Sequence, residues 1–179
     1  MAYDEYSNKL FITGEHYFNG SHNYFLARLS ADNGIFEKAI LILWSSIINH
    51  WLSTIVPDGK GGIYVGDWVD YYAGRWHTGA YVLKFDVDLN YKWSKGIMEN
   101  VGVYTWIPWD YFIKPLDVNS QGNLYAGILL TMVINNIWHR PFSLMKVSSN
   151  GTLIKAIAYG SAKPEIKIDS SYLIYYRNQ

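Results

Sequence analysis

The stretch DGKGGIYVG, Asp58–Gly66, returns in altered form further along the chain as NSQGNLYAG, Asn119–Gly127. Each copy begins with a short turn of Gly, Asp, Asn or other polar residues and continues as a β-prone run that ends in Gly. Gly, Asp and Asn accept the backbone conformations of tight turns, so they mark the boundaries between strands. The recurrence therefore predicts a repeated β-unit rather than a bound-cation loop or a phosphate cradle.

Four aspartates anchor this repeat, at spacings of 54, 59 and 52 residues: Asp4, Asp58, Asp117 and Asp169. A second shared stretch carries a basic residue at a matching place and occurs as Tyr24–Gly34, Ala80–Asn90 and Phe142–Gly151. It alternates apolar and polar residues before an Asp/Asn/Gly turn, which is the pattern of a strand that enters a hairpin. With the strands that flank these stretches, each unit has four antiparallel strands, the composition of a β-propeller blade.

We expect an all-β fold, a β-propeller-type array of four-stranded antiparallel blades with about three full units and a partial fourth. The units cover residues 1–50, 51–110, 111–163 and, in part, 164–179 of a single domain or fragment. A β-sandwich built from the same strands is the alternative. Propellers have about four to eight blades. We therefore expect a fragment or a component of a larger assembly, because an open array would expose sheet edges and apolar faces.

The string GNLYAG, Gly122–Gly127, followed by FSLMKVSSNGTLIK, Phe142–Lys155, resembles the SBBP-type β-propeller repeat, with quinoprotein-like and NHL-like propellers as relatives. The resemblance covers nearly the whole chain. The Gly-Asn pair after the turn is kept only at Gly122-Asn123, whereas Gly61-Gly62 and Asn8-Lys9 replace it in the other copies. Because such repeats are common in secreted or surface-exposed prokaryotic proteins, the resemblance implies an extracellular or cell-surface setting.

Composition excludes several classes of function. The formal net charge is zero, so no basic field attracts nucleic acid. Residues 1–90 nevertheless carry a net charge of −4 and residues 91–179 a net charge of +4. This asymmetry is either chance variation among surface charges or an indication of head-to-tail association between opposite ends. The absence of cysteine excludes disulfides and thiolate metal sites.

No membrane segment is expected in this chain. The opening residues Met1–Gly14 carry no basic region followed by an apolar stretch, so we predict no signal peptide here. The longest apolar runs, Ala39–Trp44 and Ile128–Ile134, are far shorter than a membrane span.

Aromatic and polar residues are concentrated in the predicted connections between the second and third strands of the units. Aromatic rings on loops suit stacking on sugars or anchoring of a protein partner, although rings that pack between blades give the same pattern. The predicted ligand-binding residues are Trp68, Tyr72, Trp76, His77, Trp138 and His139.

Other motifs predict no bound metal or cofactor. The segment Asp117–Gly122 begins like a calcium loop, but position 12 is Ile128 rather than an acidic residue. His22 occupies a place like those of His77 and His139, but repeat-equivalent loop positions are spread around a ring and do not converge on one metal.

Two further kinds of site depend on single motifs. Asp67 and Asp70 beside His77 are conceivable acid/base groups, but no nucleophile accompanies them, so we predict no catalytic residue. The sequons that begin at Asn19 and Asn150 fall in predicted turns, which makes these asparagines candidate glycosylation sites.

These observations predict a non-catalytic structural or binding segment of a surface, secreted or filamentous assembly, with an aromatic loop face that contacts glycan or protein. The alternative is a polysaccharide-active or quinoprotein-like enzyme module. The expected partners are another protein or further copies of the chain that complete the propeller.

Overall fold

The computed structural model describes residues 1–18, 21–43, 48–72, 76–98, 112–129, 132–134, 137–139, 142–159, 167–169 and 175–178. Within these residues every regular element is a β-strand and none is a helix. The all-β prediction is confirmed.

The described strands form three antiparallel sheets and a separate two-stranded hairpin. The first sheet is built on β1 (Ala2–Asp4), β2 (Lys9–Phe18), β3 (Ser21–Ser30) and β4 (Phe36–Leu43). The second is built on β5 (Ile48–Pro57), β6 (Ile63–Tyr72), β7 (Trp76–Phe85) and β8 (Tyr91–Met98). The third contains β9 (Phe112–Val118), β10 (Leu124–Leu129), β13 (Phe142–Val147) and β14 (Leu153–Tyr159), and β11 (Met132–Ile134) pairs with β12 (Ile137–His139) between β10 and β13.

Each sheet has the strand order that the repeat predicts, with four antiparallel strands that are neighbours along the chain apart from the inserted hairpin. Alternating residues favour extended backbone, and the Gly- and Asp-rich turns reverse its direction. Among the described strands no sheet closes on itself.

The strands of the expected fourth unit, β15 (Lys167–Asp169) and β16 (Tyr175–Asn178), do not begin a further sheet. β15 pairs with β8 on the second sheet, and β16 pairs with β4 on the first. The physical reason is the open edge of each sheet, where unpaired backbone N–H and C=O groups offer hydrogen bonds to any available strand. The two strands lengthen existing sheets to five strands each.

The second sheet buries both of its faces. Ile63 and Val65 of β6 belong to an apolar cluster with Phe11 and Leu26 of the first sheet. Tyr64, which lies between them in the strand, instead belongs to a cluster with residues of the third sheet. Successive strand residues point to opposite faces, so a continuous apolar run serves both interfaces.

Polar side chains of the first sheet hold a turn of the second. Arg28 Nη1 donates hydrogen bonds to the Val87 carbonyl oxygen at 2.6 Å and to Asp88 Oδ1 at 2.7 Å. Lys38 Nζ donates to the Asp88 carbonyl oxygen at 2.5 Å. These bonds fix the β7–β8 turn against the neighbouring sheet.

The second sheet holds turns of the third in the same manner. Trp93 Nε1 donates to the Ser149 carbonyl oxygen at 3.0 Å, in the β13–β14 turn. The Tyr64 hydroxyl donates to the carbonyl oxygen of Gly122, in the β9–β10 turn, at 2.8 Å. The stacking of the sheets is therefore specified by directional bonds as well as by apolar contact.

Candidate functional site

The predicted binding residues of the second unit lie on strands rather than in a long loop. Trp68 and Tyr72 belong to β6, whereas Trp76 and His77 belong to β7. The two strands stay paired to the end of the hairpin, where Tyr72 lies opposite Trp76. Bulky aromatic residues favour extended pairing, and this shortens the expected loop to residues 73–75, which lie outside the described part of the chain.

Trp68 serves packing. Its ring stacks on that of Trp51, its cross-strand neighbour, with centroids 4.0 Å apart and an interplanar angle of 24°. The ring also packs against the apolar cluster between the second and third sheets. Its Nε1 is buried with no hydrogen-bond acceptor among the described residues. Of the two interpretations that the sequence left open, packing between sheets describes Trp68.

Asp67 is not an exposed acid/base group, which corrects the arrangement considered from the sequence. Its side chain is 0% exposed, and it lies opposite Tyr81 in the β6–β7 pairing. Burial and, to a smaller extent, the charge of Asp67 raise the pKa of Tyr24 to about 12. The carboxylate therefore belongs to the interior between the first and second sheets.

The remaining predicted binding residues are placed by their backbone alone. Trp138 and His139 lie on β12, opposite Val133 and Met132. Like the β6–β7 hairpin, this hairpin continues the connection between the second and third strands of its sheet. The side chains of Tyr72, Trp76, His77, Trp138 and His139 lie outside the described part of the structure.

Of the two candidate glycosylation sites, only Asn150 lies within the described residues. Asn150 is exposed in the β13–β14 turn, where its Oδ1 accepts a hydrogen bond from the Thr152 amide at 3.2 Å. Asn19 lies outside the described residues.

A cleft of about 480 Å³ opens at the other end of the sheets, at a place that the sequence reasoning treated as turn punctuation. Three turns line it, one from each sheet, together with adjoining strand residues: Tyr3–Tyr6, Pro57–Lys60 and Asp117–Ser120. The repeated aspartates of three units thus border one concave surface. The recurring aspartates are visible in the sequence. That their turns meet at one cleft depends on how the three sheets stack.

Asp58 is the most constrained carboxylate of the cleft. Its Oδ2 pairs with Lys84 Nζ, and its Oδ1 accepts the backbone N–H groups of Lys60 at 2.7 Å and Gly62 at 2.8 Å. Burial alone would raise the pKa of Asp58, but the hydrogen bond and charge of Lys84 and the two backbone bonds outweigh burial and lower it. Asp58 is consequently ionised and committed to its own turn.

Asp4 is committed in a similar way, since its Oδ2 accepts the Ser7 amide at 3.0 Å and the Ser7 hydroxyl at 2.5 Å. Within the described part of the chain no group of three or more His, Asp or Glu side chains is arranged to hold a metal ion. The cleft is a concave surface on which Asp4 and Asp58 are bonded within their own sheets.

Asn119, rather than Asp117, is the structural counterpart of Asp58. Asn119 Oδ1 accepts the amides of Gln121 at 3.1 Å and Asn123 at 2.9 Å, the same i+2 and i+4 pattern. Asp117 instead precedes the turn, at the end of β9, so the repeat anchor read from the sequence is displaced by two residues. An amide oxygen accepts these bonds as a carboxylate does, so the spacing of aspartates alone points to Asp117 instead of Asn119.

No helix among the described residues is long and apolar enough to cross a membrane. Comparison of the chain with protein-family models, with curated proteins and with solved structures finds no match.

Proposed function

We propose that this chain is a non-catalytic, structural or binding segment of β-propeller type that forms part of a surface, secreted or filamentous assembly. The observation that carries the proposal is the recurrence of one inter-sheet contact, in which side chains of a sheet donate to the turns of the next sheet. A contact that is repeated from sheet to sheet is the device by which repeat proteins extend an array.

Two features favour a propeller-type arrangement over a β-sandwich. The strand β5 packs across β2 of the preceding sheet, and β9 packs across β5 and β6 in the same way. The turns that follow β1, β5 and β9 line one shared cleft. The first strands of successive blades surround the axis of a propeller, whereas a sandwich has only two facing layers.

The proposed binding surface is the opposite end, where the β6–β7 and β11–β12 hairpins extend. Five of the six predicted binding residues there, Tyr72, Trp76, His77, Trp138 and His139, are within three residues of a hairpin turn. Aromatic and imidazole groups at hairpin ends suit a glycan or a protein partner. An extracellular or cell-surface setting, implied by the resemblance, is part of the proposal.

A glycan and protein array combined with an assay for released sugar tests the proposal. We expect binding without turnover, and we expect Trp76→Ala to weaken binding by about tenfold or more, the loss of roughly 1.4 kcal/mol. Tyr6→Ala, which removes an exposed ring at the cleft end, is the matched control and should bind as the unaltered chain does.

Release of sugar by the unaltered chain, with loss of that release in His77→Ala, would contradict the proposal. Such a result would establish the polysaccharide-active alternative instead.

A further inference from the structure

The exposed face of the third sheet corresponds to faces that are covered on the other two sheets. Arg28 of β3, Lys84 of β7 and Lys146 of β13 occupy one register position. Their partners on the following strand are Lys38, Trp93 and Lys155, respectively. This register fixes which positions of the three sheets are equivalent.

Apolar positions on this face are buried where a following sheet is present. Phe11 of the first sheet and Tyr64 of the second are 0% exposed, whereas the equivalent Tyr125 of the third sheet is 37% exposed. Leu26 and Val82 are likewise buried, but their equivalent, Leu144, is only half-buried. The third sheet therefore has the surface of an inter-sheet contact without a sheet upon it in the described part of the chain.

The polar positions show the same contrast. The first pair, Arg28 and Lys38, bonds to the β7–β8 turn of the following sheet, with the Val87 carbonyl as one acceptor. In the second pair Trp93 bonds to the Ser149 carbonyl. Val87 and Ser149 are both the second residue of a five-residue turn, so the two acceptors are equivalent. Their donors, Arg28 and Trp93, are the third-strand and the fourth-strand member of their pairs.

The third pair, Lys146 and Lys155, differs at its second member. Lys146 Nζ lies over the Tyr125 ring, 5.2 Å from its centroid, as Lys84 Nζ lies over the Tyr64 ring at 4.0 Å. Lys155, however, is exposed to solvent, whereas its counterparts Lys38 and Trp93 bond to a turn of the following sheet. Two cationic groups are thus displayed at the position where the other sheets hold the turn of a neighbour.

The opposite end of the stack presents the complementary surface. Leu10 and Leu29 of the first sheet are half-buried, although their equivalents Ile63 and Phe85 are 0% exposed against a preceding sheet. In the β3–β4 turn, Asp32 corresponds to Asp88, the carboxylate that Arg28 binds in the second sheet. Asp32 is exposed.

We propose that the third sheet of one copy of this chain binds the first sheet of a second copy, with Lys146 and Lys155 bonded to the β3–β4 turn at Asp32 and the Ala31 carbonyl. The proposal rests on the proposed function, since it identifies the partner of the same sheet array. It continues the stacking already present between the first and second sheets.

Charge favours a second copy as the occupant. Residues 1–90, which include β1 to β4 of the first sheet, carry −4, and residues 91–179, which include the third sheet, carry +4, so two copies attract one another head to tail. A head-to-tail contact uses two different surfaces, and repetition of it gives a ring if the rotation closes or a filament if it does not.

The first experiment measures mass in solution over a concentration series up to about 1 mM, where even weak association is visible. We expect the unaltered chain to self-associate, and both Lys146→Glu/Lys155→Glu and Asp32→Lys to be monomeric. Lys92→Glu changes an exposed lysine, whose partner is Asp86 in its own turn, and serves as the control that keeps self-association.

The decisive measurement uses an equal mixture of the Lys146→Glu/Lys155→Glu variant and the Asp32→Lys variant. Mixing restores opposite charges at the contact, so we expect assembly of the mixture. Unfolding of a variant is checked by its circular dichroism spectrum, and recovery in the mixture shows that both variants remain folded. A monomeric unaltered chain, or a mixture that stays monomeric while both variants are folded, overturns the proposal.

Cross-linking determines which surfaces meet, because the chain has no cysteine of its own. A mixture of Asp32→Cys and Lys155→Cys should form a disulfide-linked heterodimer under mild oxidation, and each variant alone should form few dimers. Efficient cross-linking of Lys155→Cys with itself would indicate a symmetric contact and would overturn the head-to-tail arrangement.

The outcome is separable from that of the proposed function. A strictly monomeric chain that still binds a glycan or a protein without turnover overturns the self-association alone. Turnover by a chain that assembles as described overturns the non-catalytic function alone.

Discussion

At the scale of single residues, the turns carry the strongest local constraint. Gly151 has a φ of +85°, a left-handed conformation that costs a residue with a Cβ atom about 1–2 kcal/mol. A Cβ at this position would also lie 2.9 Å from Cδ2 of Trp93, the residue whose indole bonds to the same turn. Gly34 has a similar φ of +69°, but a Cβ there would meet nothing within 4 Å.

This pair of glycines separates backbone strain from inter-sheet packing. We expect Gly34→Ala to lower the free energy of unfolding by about 1–2 kcal/mol, from the backbone alone. Gly151→Ala should cost about 2–4 kcal/mol, because the methyl group also displaces the Trp93 ring. Urea unfolding curves measure both, and equal losses would show that Trp93 does not pack on the turn as described.

At the scale of elements, one five-residue turn recurs with different capping residues. Asp58, Asp86 and Asn119 each accept the amides at i+2 and i+4 through their Oδ1 atom, and the Ser148 hydroxyl accepts the amide at i+4. The two capping aspartates differ in how deeply their lysine partner is buried. Lys84, the partner of Asp58, has a side chain only 7% exposed, whereas Lys92, the partner of Asp86, is 49% exposed.

Asp58→Asn should keep the turn, as Asn119 does naturally, but leave Lys84 without its carboxylate. Removing one partner of a buried ion pair costs about 3 kcal/mol, so we expect that loss at pH 7. The pKa of Asp58 lies below its ordinary value of 3.8, so its contribution is complete above that pH and is lost as the pH falls through the folded value. The difference between Asp58→Asn and the unaltered chain should therefore shrink below pH 3.8.

Asp86→Asn is the matched control, because its ion pair is partly exposed and such pairs contribute about 0–1 kcal/mol. Urea midpoints at neutral and acid pH measure all three chains. Equal losses in the two variants, or a difference for Asp58→Asn that grows on acidification, would contradict the buried pair.

At the scale of the whole molecule, the C-terminal strands protect open edges. β15 and β16 pair with β8 and β4, which are the outer strands of the second and first sheets. Exposed edges bind other strands, so this arrangement limits edge-to-edge association and leaves the sheet faces for specific contact.

Removal of residues 160–179 should therefore expose both edges. Within Ile40–Leu43 and Gly96–Met98, we expect the amides that bond to β16 and β15 to exchange with solvent about tenfold faster or more, since their acceptors are absent. The amides of these segments that bond to β3 and β7 keep their partners. Amides of the central segment Tyr24–Ala27 serve as the internal control. Hydrogen exchange followed by mass spectrometry makes the measurement, and unchanged exchange at β4 and β8 would show that the C-terminal strands do not protect them.

Much of the architecture was readable from local pattern. Alternation around Leu83 and Met145 and the turns at Asp58 and Gly122 predicted the strands and their antiparallel order, because side-chain period and turn chemistry act over a few residues. The matching of Arg28 with Lys84 and Lys146 was also correct, since all three share one register position.

The sequence by itself determined the order of the four main strands in each sheet and the tight turns that join them, because each depends on neighbouring residues. Only the tertiary structure decided that β16 pairs with β4, that Trp68 stacks on Trp51, and that three turns line one cleft. These features join residues far apart in the chain or depend on the angle between sheets. These features are stabilised by ring packing and by hydrogen bonds at sheet edges. Any apolar ring can supply such packing and any free strand can supply such bonds, so no local pattern specifies the partner.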